Sequence, residues 1–517
     1  MYRSWPWLLL LLTGLTACAG LPEAPPRPES RALTDTRDTA LARSLAPLLQ
    51  AHPGQDGFIL LDDGLEAFVA RAALAEYAAR SIDVQYYLYH NDEVGSLFTA
   101  LLLRAADRGV RIRILVDDID MGGRDEAIIA LDEHPNIEIR LFNPFNRHTP
   151  RWLQYLFGLG TVTRRMHNKA YIVDNTFAVL GGRNIGDEYY DARPDLAFAD
   201  LDVLTIGPVV NDVAAAFERY WNSGQSWPAR AVIDARPDAE TVAALRRRLK
   251  ARIASATTSE YIQALERSPL AEQIRLNRVQ YVWGDARVVV DDPAKITASR
   301  SASELHLATQ IDPLFEHLQH ELIVVSPYFV PGREGVAFFR KLIQRGIRVR
   351  ILTNSLASND VPVVHAGYVR YRMDLLRAGV ELHELDQTRN RASRHKSKSL
   401  AGSSRASLHA KTFLLDRRTA FIGSLNIDPR SFYENTEIGV IIDSPALGET
   451  MARQFDEFVR KRAFRLERHI NADGNEILRW HGVENGKPVI HEREPHTGFW
   501  LRFAIGFMMM LPIESQL

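Results

Sequence analysis

Two stretches of the chain carry the same chemically able residues at the same spacing. The first reads HNKAYIVDNTFAVLGGRN over residues 167–184, and the second reads HAKTFLLDRRTAFIGSLN over residues 409–426. Each gives a histidine, a lysine two places later, an aspartate five places after the lysine, and a final asparagine. A lone His-x-Lys pair is usually an accident of surface sequence. Two copies that match at every fixed position indicate a duplicated site.

The duplicated residues suit chemistry on a phosphodiester. One imidazole can attack phosphorus while the other protonates the leaving oxygen, and lysines and asparagines can hold the non-bridging oxygens. Neither copy alone supplies both a nucleophile and an acid, so the two copies must face one point. The predicted catalytic residues are His167, Lys169, Asn184, His409, Lys411 and Asn426.

Each copy also has the pattern of a β-hairpin, in which a polar turn separates two short apolar runs. The turns are Asp174-Asn175 and Asp416-Arg417. Side chains alternate along a strand, so the histidine and lysine of each copy share a face. Asp174 and Asp416 lie at an odd spacing from that face, which predicts turn and ion-pair roles that hold the site. Glycines after the second run allow a tight turn that returns the asparagine to the site.

Strands and helices alternate from Phe58 onward, and the same order repeats from about residue 310 to the second motif. The segment 108–111, RGVR, matches the segment 345–348, RGIR, and locates the repeat independently of the motifs. The predicted fold is therefore α/β, with two similar halves related by pseudo-twofold symmetry. We expect mixed sheets flanked by helices, with the active site at the junction of the halves.

Composition bounds the organisation of the chain. At 517 residues and 46% hydrophobic content, the chain can bury two sizeable cores, and its net charge of -1 gives no global footprint for nucleic acid. The predicted segments are a lipoprotein signal (1–18), a tether (19–45), a first half (46–228), a connector (229–308), a second half (309–465) and a C-terminal extension (466–517).

The sequence resembles the phospholipase D superfamily, whose signature is this His-Lys-Asp pattern occurring twice. Surrounding stretches such as RRMHNKAYIVD, GGRNIGDEYYD and GSLNIDPRSFYENTE resemble the bacterial cardiolipin synthase C type. The resemblance implies that His167 is the nucleophile and that His409 acts first as acid and then as base. It also implies a carboxylate behind the histidine of its own half, Asp200 in the first and Glu437 in the second. Asp202 is the alternative to Asp200.

This resemblance implies a phosphatidyltransferase that works through a phosphatidyl-histidine. It would form cardiolipin from phosphatidylglycerol and a second phospholipid, with phosphatidylethanolamine as a candidate donor. The alternatives are hydrolysis of phospholipids to phosphatidic acid, cleavage of nucleic acid, and a lipid-binding lipoprotein without activity. Intact motifs weigh against the last, and near-neutral charge weighs against nucleic acid as a partner. His365 and Tyr368 are predicted to discriminate headgroups.

No cofactor and no metal is expected. The lysines already supply positive charge, and adjacent aspartates would diverge if they lie on strands. The pairs in question are Asp62-Asp63, Asp117-Asp118 and Asp291-Asp292.

Several segments predict contact with a membrane surface. The N-terminus resembles a bacterial lipoprotein signal in which Cys18, the single cysteine of the chain, is lipidated. This predicts a protein anchored on the extracytoplasmic side of the cell envelope, with the choice of inner or outer membrane left open.

The apolar cluster at 152–157 fits a core helix or a lipid-facing lip. The apolar tail from Phe499 favours an interfacial helix over a core cap. The basic loop 389–405 suits anionic headgroups or nucleic acid. Oligomeric state is not predicted.

Overall fold

The computed structural model describes residues 27–157, 161–192, 196–256, 263–264, 266–275, 278–387, 405–484 and 486–510. The predicted lipidation site Cys18 and the basic loop up to residue 404 lie outside these ranges. Within the described ranges, no helix is both long and apolar enough to cross a membrane.

Twenty strands are described. In chain order they are Asp56–Leu61 (β1), Ser81–Tyr86 (β2), Arg111–Asp117 (β3), Ile137–Phe142 (β4), Ala170–Val173 (β5), Phe177–Gly181 (β6), Leu196–Ala199 (β7), Asp202–Ile206 (β8), Ser226–Pro228 (β9), Val282–Val290 (β10), Glu321–Val325 (β11), Arg348–Thr353 (β12), Glu381–Leu385 (β13), Arg405–Leu408 (β14), Thr412–Leu415 (β15), Thr419–Gly423 (β16), Ile438–Asp443 (β17), Ala463–Ile470 (β18), Glu476–Glu484 (β19) and Lys487–His491 (β20).

The α-helices flank these strands. They are Ala40–Ala51 (α1), Gly64–Tyr77 (α2), Glu93–Asp107 (α3), Asp125–Asp132 (α4), Arg151–Phe157 (α5), Val209–Trp221 (α6), Ala229–Val232 (α7), Ala239–Ala256 (α8), Pro269–Arg275 (α9), Ala308–Glu316 (α10), Gly332–Gln344 (α11), Pro362–Ala378 (α12), Pro429–Tyr433 (α13), Pro445–Arg462 (α14) and Phe499–Met508 (α15).

The two halves repeat one sheet topology strand for strand. In the first half the hydrogen-bonded order is β9-β4-β3-β2-β5-β6-β8-β1, with β2, β3 and β4 parallel and the other pairs antiparallel. In the second half it is β18-β13-β12-β11-β15-β16-β17-β10, with β11, β12 and β13 parallel. The hairpin β19-β20 extends the second sheet beyond β18. The predicted pair of similar α/β halves is confirmed.

Strand β10 joins the halves at their edges. It pairs with β17 as β1 pairs with β8, and it also pairs antiparallel with β1 itself. The strand that opens the second sheet therefore lies within residues 229–308, the segment predicted to be a connector. The equivalent strand β1 contains an apolar run that predicts a strand from the sequence. β10 begins with VWGDAR, in which polar and apolar residues do not follow a strand pattern.

The motif hairpins lie in the middle of each sheet. β5 and β6 form the first and β15 and β16 the second, and each strand is almost wholly buried. Both turn residues of each hairpin have left-handed backbone, with φ of 50° and 46° at Asp174 and Asn175 and of 49° and 54° at Asp416 and Arg417. Two successive left-handed residues make the tight turn whose twist matches that of the flanking strands.

The turn aspartates fix each hairpin to the chain beside it. Asp174 accepts hydrogen bonds from the backbone amides of residues 79–81 at 2.7–2.9 Å, and Asp416 accepts from those of residues 319–321 at the same range of distances. The predicted structural role is thus seen, but the bonds go to backbone amides instead of forming ion pairs. A carboxylate that accepts three hydrogen bonds from backbone N–H groups is stabilised without a counter-ion.

Candidate active site

His167 is held by the second half of the molecule. Its Nδ1 lies 2.9 Å from Oε2 of Glu437, and its backbone N–H donates to the carbonyl of Thr436 at 2.8 Å. The ring also packs edge-on against Tyr87, with centroids 4.9 Å apart. With Nδ1 engaged by a carboxylate, Nε2 is the nitrogen left for chemistry.

His409 is held by the first half in the same way. Its Nδ1 lies 2.6 Å from Oδ2 of Asp200, and its backbone N–H donates to the carbonyl of Ala199 at 2.8 Å. The rings of Tyr189 and Phe198 lie against it, with centroids 5.1 and 5.2 Å away. The two histidines thus have similar surroundings, although Nζ of Lys411 also lies 3.0 Å from Nδ1 of His409.

The prediction that each carboxylate supports the histidine of its own half is therefore wrong. Glu437 binds His167 and Asp200 binds His409, so each histidine takes its acceptor from the opposite half. The reason is backbone pairing across the junction, because the residue before each carboxylate accepts the N–H of the opposite histidine. Asp202, the alternative to Asp200, instead pairs with Arg71 at 2.8 Å.

The two carboxylate sites are not identical. Ser424 donates its hydroxyl to Glu437. The corresponding residue of the first motif is Gly182, where a Cβ would lie 2.1 Å from Oδ1 of Asp200. A glycine is therefore required on that side, since any side chain would displace the carboxylate from His409. This difference explains why one motif reads Gly-Gly and the other Gly-Ser.

Lys169 and Lys411 are both fully buried at the same centre. Each donates its ammonium group to the backbone carbonyl of its own motif histidine. Burial lowers the pKa of both lysines, opposed by the charges of Glu437 and Asp200. An anion bound between them would favour their charged form, so the pair forms a receptor for the oxygens of a phosphate.

Both motif asparagines are buried beside the histidines. Asn184 accepts from the backbone N–H of Leu88 at 3.2 Å and donates to the hydroxyl of Tyr189 at 2.9 Å. The side-chain oxygen of Asn426 has no hydrogen-bond partner in the part of the chain that the structure describes. The side chains of the two asparagines thus make different hydrogen bonds, although they hold equivalent positions in the two motifs.

Electrostatics favour a neutral His167, whereas Asp200 favours the charged form of His409 against the effect of burial. Burial lowers the pKa of His167 well below its ordinary value, and the neighbouring charges of Lys169 and Lys411 lower it further. Burial and Lys411 also lower the pKa of His409. A charge on His409 also lowers the pKa of His167, because the two rings lie close enough for their charges to interact. A neutral His167 has a lone pair available for attack.

The carboxylates behind the histidines differ in acidity. Burial raises the pKa of Glu437 to about 7, although Lys169 opposes the shift. Burial would also raise the pKa of Asp200, but the charges of His409 and Lys411 hold it below its ordinary value. Asp200 therefore stays ionised at neutral pH, whereas Glu437 titrates there.

His365 and Tyr368 lie in a buried polar network of the second half. The hydroxyl of Tyr368 donates to Glu384 at 3.0 Å, and Arg372 bridges Glu384 and Glu494 at 3.0 and 2.7 Å. Nε2 of His365 lies 3.8 Å from Glu494. These bonds join α12 to β13 and to the segment before α15. The headgroup role of His365 and Tyr368 stays a prediction.

The aromatic residues around the histidines were missed from the sequence. Tyr87 follows β2, Tyr189 follows the first motif, and Phe198 lies in β7. The sequence QYYLY at 85–89 carries three tyrosine rings, but strand periodicity alone does not select the one that reaches His167. Their contact with the imidazoles comes from chain segments that meet only in the folded protein.

Few acidic groups are placed to hold a metal. Asp291, from one of the adjacent pairs considered above, faces Lys295 at 3.0 Å. Among the described residues, one group has donor atoms close enough to share a cation, namely His90, Asp92 and Glu188. His90 already lies 3.2 Å from Glu188 as an ion pair. This group carries no step of the chemistry below.

The fold and site define a class of enzyme that transfers phosphodiesters with a pair of histidines from duplicated halves. A family model described as "Cardiolipin synthase, PLD-like domain" matches residues 72–221 and 313–459, more than half of the chain. The chain therefore belongs to the phospholipase D superfamily, in its cardiolipin synthase branch.

Named relatives agree with this assignment. Cardiolipin synthase C of Escherichia coli is 42% identical over 92% of this chain and 99% of its own length. Cardiolipin synthase B of Salmonella typhi is 27% identical over 76% of this chain and 78% of its own length. Among solved structures, phosphatidylserine synthase of Haemophilus influenzae superposes with a TM-score of 0.52 at 14% identity, over 82% of this chain and 92% of that one. The last likeness concerns the fold alone.

Proposed function

We propose that this protein is a phosphatidyltransferase that forms cardiolipin from phosphatidylglycerol and a second phospholipid. The observation that carries the proposal is the symmetrical pair His167–Glu437 and His409–Asp200, with a buried lysine beside each histidine. Such a pair supplies a nucleophile, an acid and a receptor for the phosphate oxygens in one place. The similarity to cardiolipin synthase C selects phospholipids as the substrate class.

In the first step Nε2 of His167 attacks the phosphorus of the donor lipid. A P–N bond forms and the P–O bond to the headgroup breaks, while protonated His409 delivers its Nε2 proton to the departing alcohol. The buried ammonium groups of Lys169 and Lys411 stabilise the charge on the phosphate oxygens. The product is a phosphatidyl-histidine and a neutral His409. Phosphatidylethanolamine is the candidate donor.

In the second step the neutral His409 takes a proton from the hydroxyl of phosphatidylglycerol. The alcohol oxygen attacks phosphorus, the P–N bond breaks, and His167 is released with its lone pair restored. Ionised Asp200 stabilises the positive charge that His409 acquires. Water in place of the alcohol would give phosphatidic acid, so the enzyme must favour a lipid acceptor at this stage.

The outer surface supports action at a membrane. One side of α15 packs on α12 through Ile505, while Phe499, Trp500 and Phe503 stay 60–78% exposed. In α5, which immediately precedes the first motif, Trp152 is 66% exposed. Exposed rings of this kind suit the headgroup boundary of a bilayer. We include in the proposal a lipid anchor at Cys18 and a location on the extracytoplasmic side of the envelope.

Lipid mass spectrometry with defined substrates tests the proposal. Vesicles of phosphatidylglycerol with phosphatidylethanolamine should yield cardiolipin and free ethanolamine or glycerol with the wild-type enzyme. His167→Ala should yield neither product and should take up no label from a phosphorus-labelled lipid. Phosphatidic acid as the sole product would assign a hydrolase, and cleavage of plasmid DNA without lipid turnover would assign a nuclease.

A further inference from the structure

The second half contains a large cavity that the chemistry above does not use. Its volume is about 1110 Å³, and it lies between α10, α11 and α12 and the face of the sheet that includes β15. This exceeds the roughly 300–1,000 Å³ of ordinary small-molecule sites. Much of the wall is aromatic, with the rings of Phe315, Phe338, Phe339, Phe413 and Phe432.

Two residues of the cavity wall are close in sequence to the second motif. Ile427 lines it and is bonded to Asn426, so the two Cα atoms are about 3.8 Å apart. Phe413 also lines it and lies two residues after Lys411, about 7 Å along an extended chain. The wall of the cavity and the second motif are therefore built from neighbouring residues of the same chain segments.

The first half fills the equivalent space. Helix α2 precedes β2 as α10 precedes β11, but α2 has 14 residues and α10 has 9. Tyr171, which matches Phe413 in the motif, donates its hydroxyl to the backbone of Arg71 in α2 at 3.3 Å. In α10 only Ile311 is buried. The shorter helix leaves open the volume that α2 occupies in the other half.

The cavity also adjoins the exposed apolar surface. Arg370 and Tyr371 of α12 line it, and the guanidinium of Arg370 donates to the carbonyl of Met509 at the end of α15. The exposed face of α15 carries Trp500 and Phe503. One helix thus borders both the cavity and the part of the surface suited to a bilayer.

We propose that this cavity binds an acyl chain of the phospholipid whose phosphate lies between the two histidines. The inference rests on the proposed function and names how the substrate is held. A space with a largely aromatic wall, formed by neighbours of the second motif and bordered by the helix that holds α15, suits a fatty chain leaving the bilayer. Each methylene moved from water into such a space strengthens binding roughly fourfold, so chain length should govern affinity.

Filling the cavity tests this assignment. Ala308 lines it at the first residue of α10, and Ala308→Trp would narrow it. We expect KM for dipalmitoyl lipids to rise at least tenfold while kinetics with dihexanoyl lipids stay unchanged. Glu316→Trp is the matched control, because Glu316 is exposed on the same helix and outside the lining. Equal effects on both chain lengths, or no effect, would overturn the proposal.

Photocrosslinking tests it without turnover. A phosphatidylglycerol with a diazirine at the end of one acyl chain would be bound to the His167→Ala protein on vesicles. We expect adducts on the peptides that contain Ile311 and Phe315 or Phe338 and Phe339. Adducts confined to residues 499–510 would overturn the proposal. If adducts form in the cavity but the wild-type enzyme is inactive, the acyl-chain site would stand and the proposed transferase activity would be rejected.

Discussion

At the scale of single residues, the division of labour follows from which carboxylate supports which histidine. Glu437 is raised to a pKa of about 7 by burial and supports the nucleophile His167, whereas Asp200 stays ionised and supports the acid–base His409. The permanent charge is therefore placed behind the ring that accepts and donates the proton, and the weaker acceptor behind the ring that attacks.

Because each histidine is paired with the carboxylate of the opposite half, two conservative substitutions should cause different kinetic defects. With phosphatidyl-p-nitrophenol the leaving group needs no proton, so the first step depends on His167 alone. Asp200→Asn should keep a burst of nitrophenol and accumulate phosphatidyl-histidine while turnover falls about 10²–10⁴-fold. Glu437→Gln should instead slow the burst itself. Stopped-flow absorbance and phosphorus NMR of the quenched protein measure both effects. The opposite result, with the burst slowed only in Asp200→Asn, would make His409 the nucleophile.

The acidity of Glu437 predicts a pH limb near neutrality. His167 is already neutral across this range, because its pKa is well below the ordinary value. Below about pH 7 Glu437 gains a proton and becomes a poorer acceptor for Nδ1–H of His167, so burst rates should fall as pH decreases. In Glu437→Gln this carboxyl is absent, and the burst rate should be lower and independent of pH between pH 6 and 8. A limb that persists in the variant would assign it to another group.

At the scale of elements, the repeat is built from equivalent parts that are differently used. Helix α2 fills the core of its half, whereas α10 leaves a cavity, and the hairpin β19-β20 and helix α15 are additions to the second half alone among the described elements. Helix α15 is fixed to α12 by Ile505 and by the bond from Arg370 to Met509. Its exposed rings are consequently held in a defined orientation.

Helix α15 should therefore contribute to membrane binding. In a Cys18→Ala background that removes the proposed lipid anchor, Trp500→Ser with Phe503→Ser should weaken vesicle binding by roughly tenfold per ring, since each ring buries apolar area in the interface. Cosedimentation with anionic vesicles measures this. Ile470→Ser with Ile490→Ser is the matched control, because both residues are more than half exposed elsewhere on the protein. An equal loss of vesicle binding in both variants would contradict a role of α15 in membrane binding.

At the scale of the whole molecule, one active site requires both halves. Backbone bonds cross the junction at Thr436 to Arg165 at 2.9 Å and at His409 to Ala199 at 2.8 Å, and Arg164 pairs with Glu434 at 2.7 Å. The continuous sheet through β1 and β10 fixes the same junction at its edge. The positive charge that meets the phosphate comes from one lysine of each half.

This source of charge predicts that catalysis needs no divalent cation. In about 5 mM chelator, the turnover of phosphatidylglycerol and phosphatidylethanolamine should equal that of the untreated enzyme. The reason is that Lys169 and Lys411 supply the electrostatic stabilisation. Lys411→Ala should lower activity in either buffer. Loss of activity on chelation that added magnesium or zinc restores would contradict the two-lysine site.

The motif residues and their grouping follow from the sequence because identical residue types at identical spacing leave few other interpretations. Local periodicity likewise predicts the alternation of strands and helices and the two tight turns. Only the tertiary structure decides which carboxylate meets which histidine, since the partners are 270 and 209 residues apart and related by a symmetry that exchanges the halves. It also decides the place of β10 and the cavity beside Phe413. Both depend on how elements of unequal length pack, which residue spacing does not record.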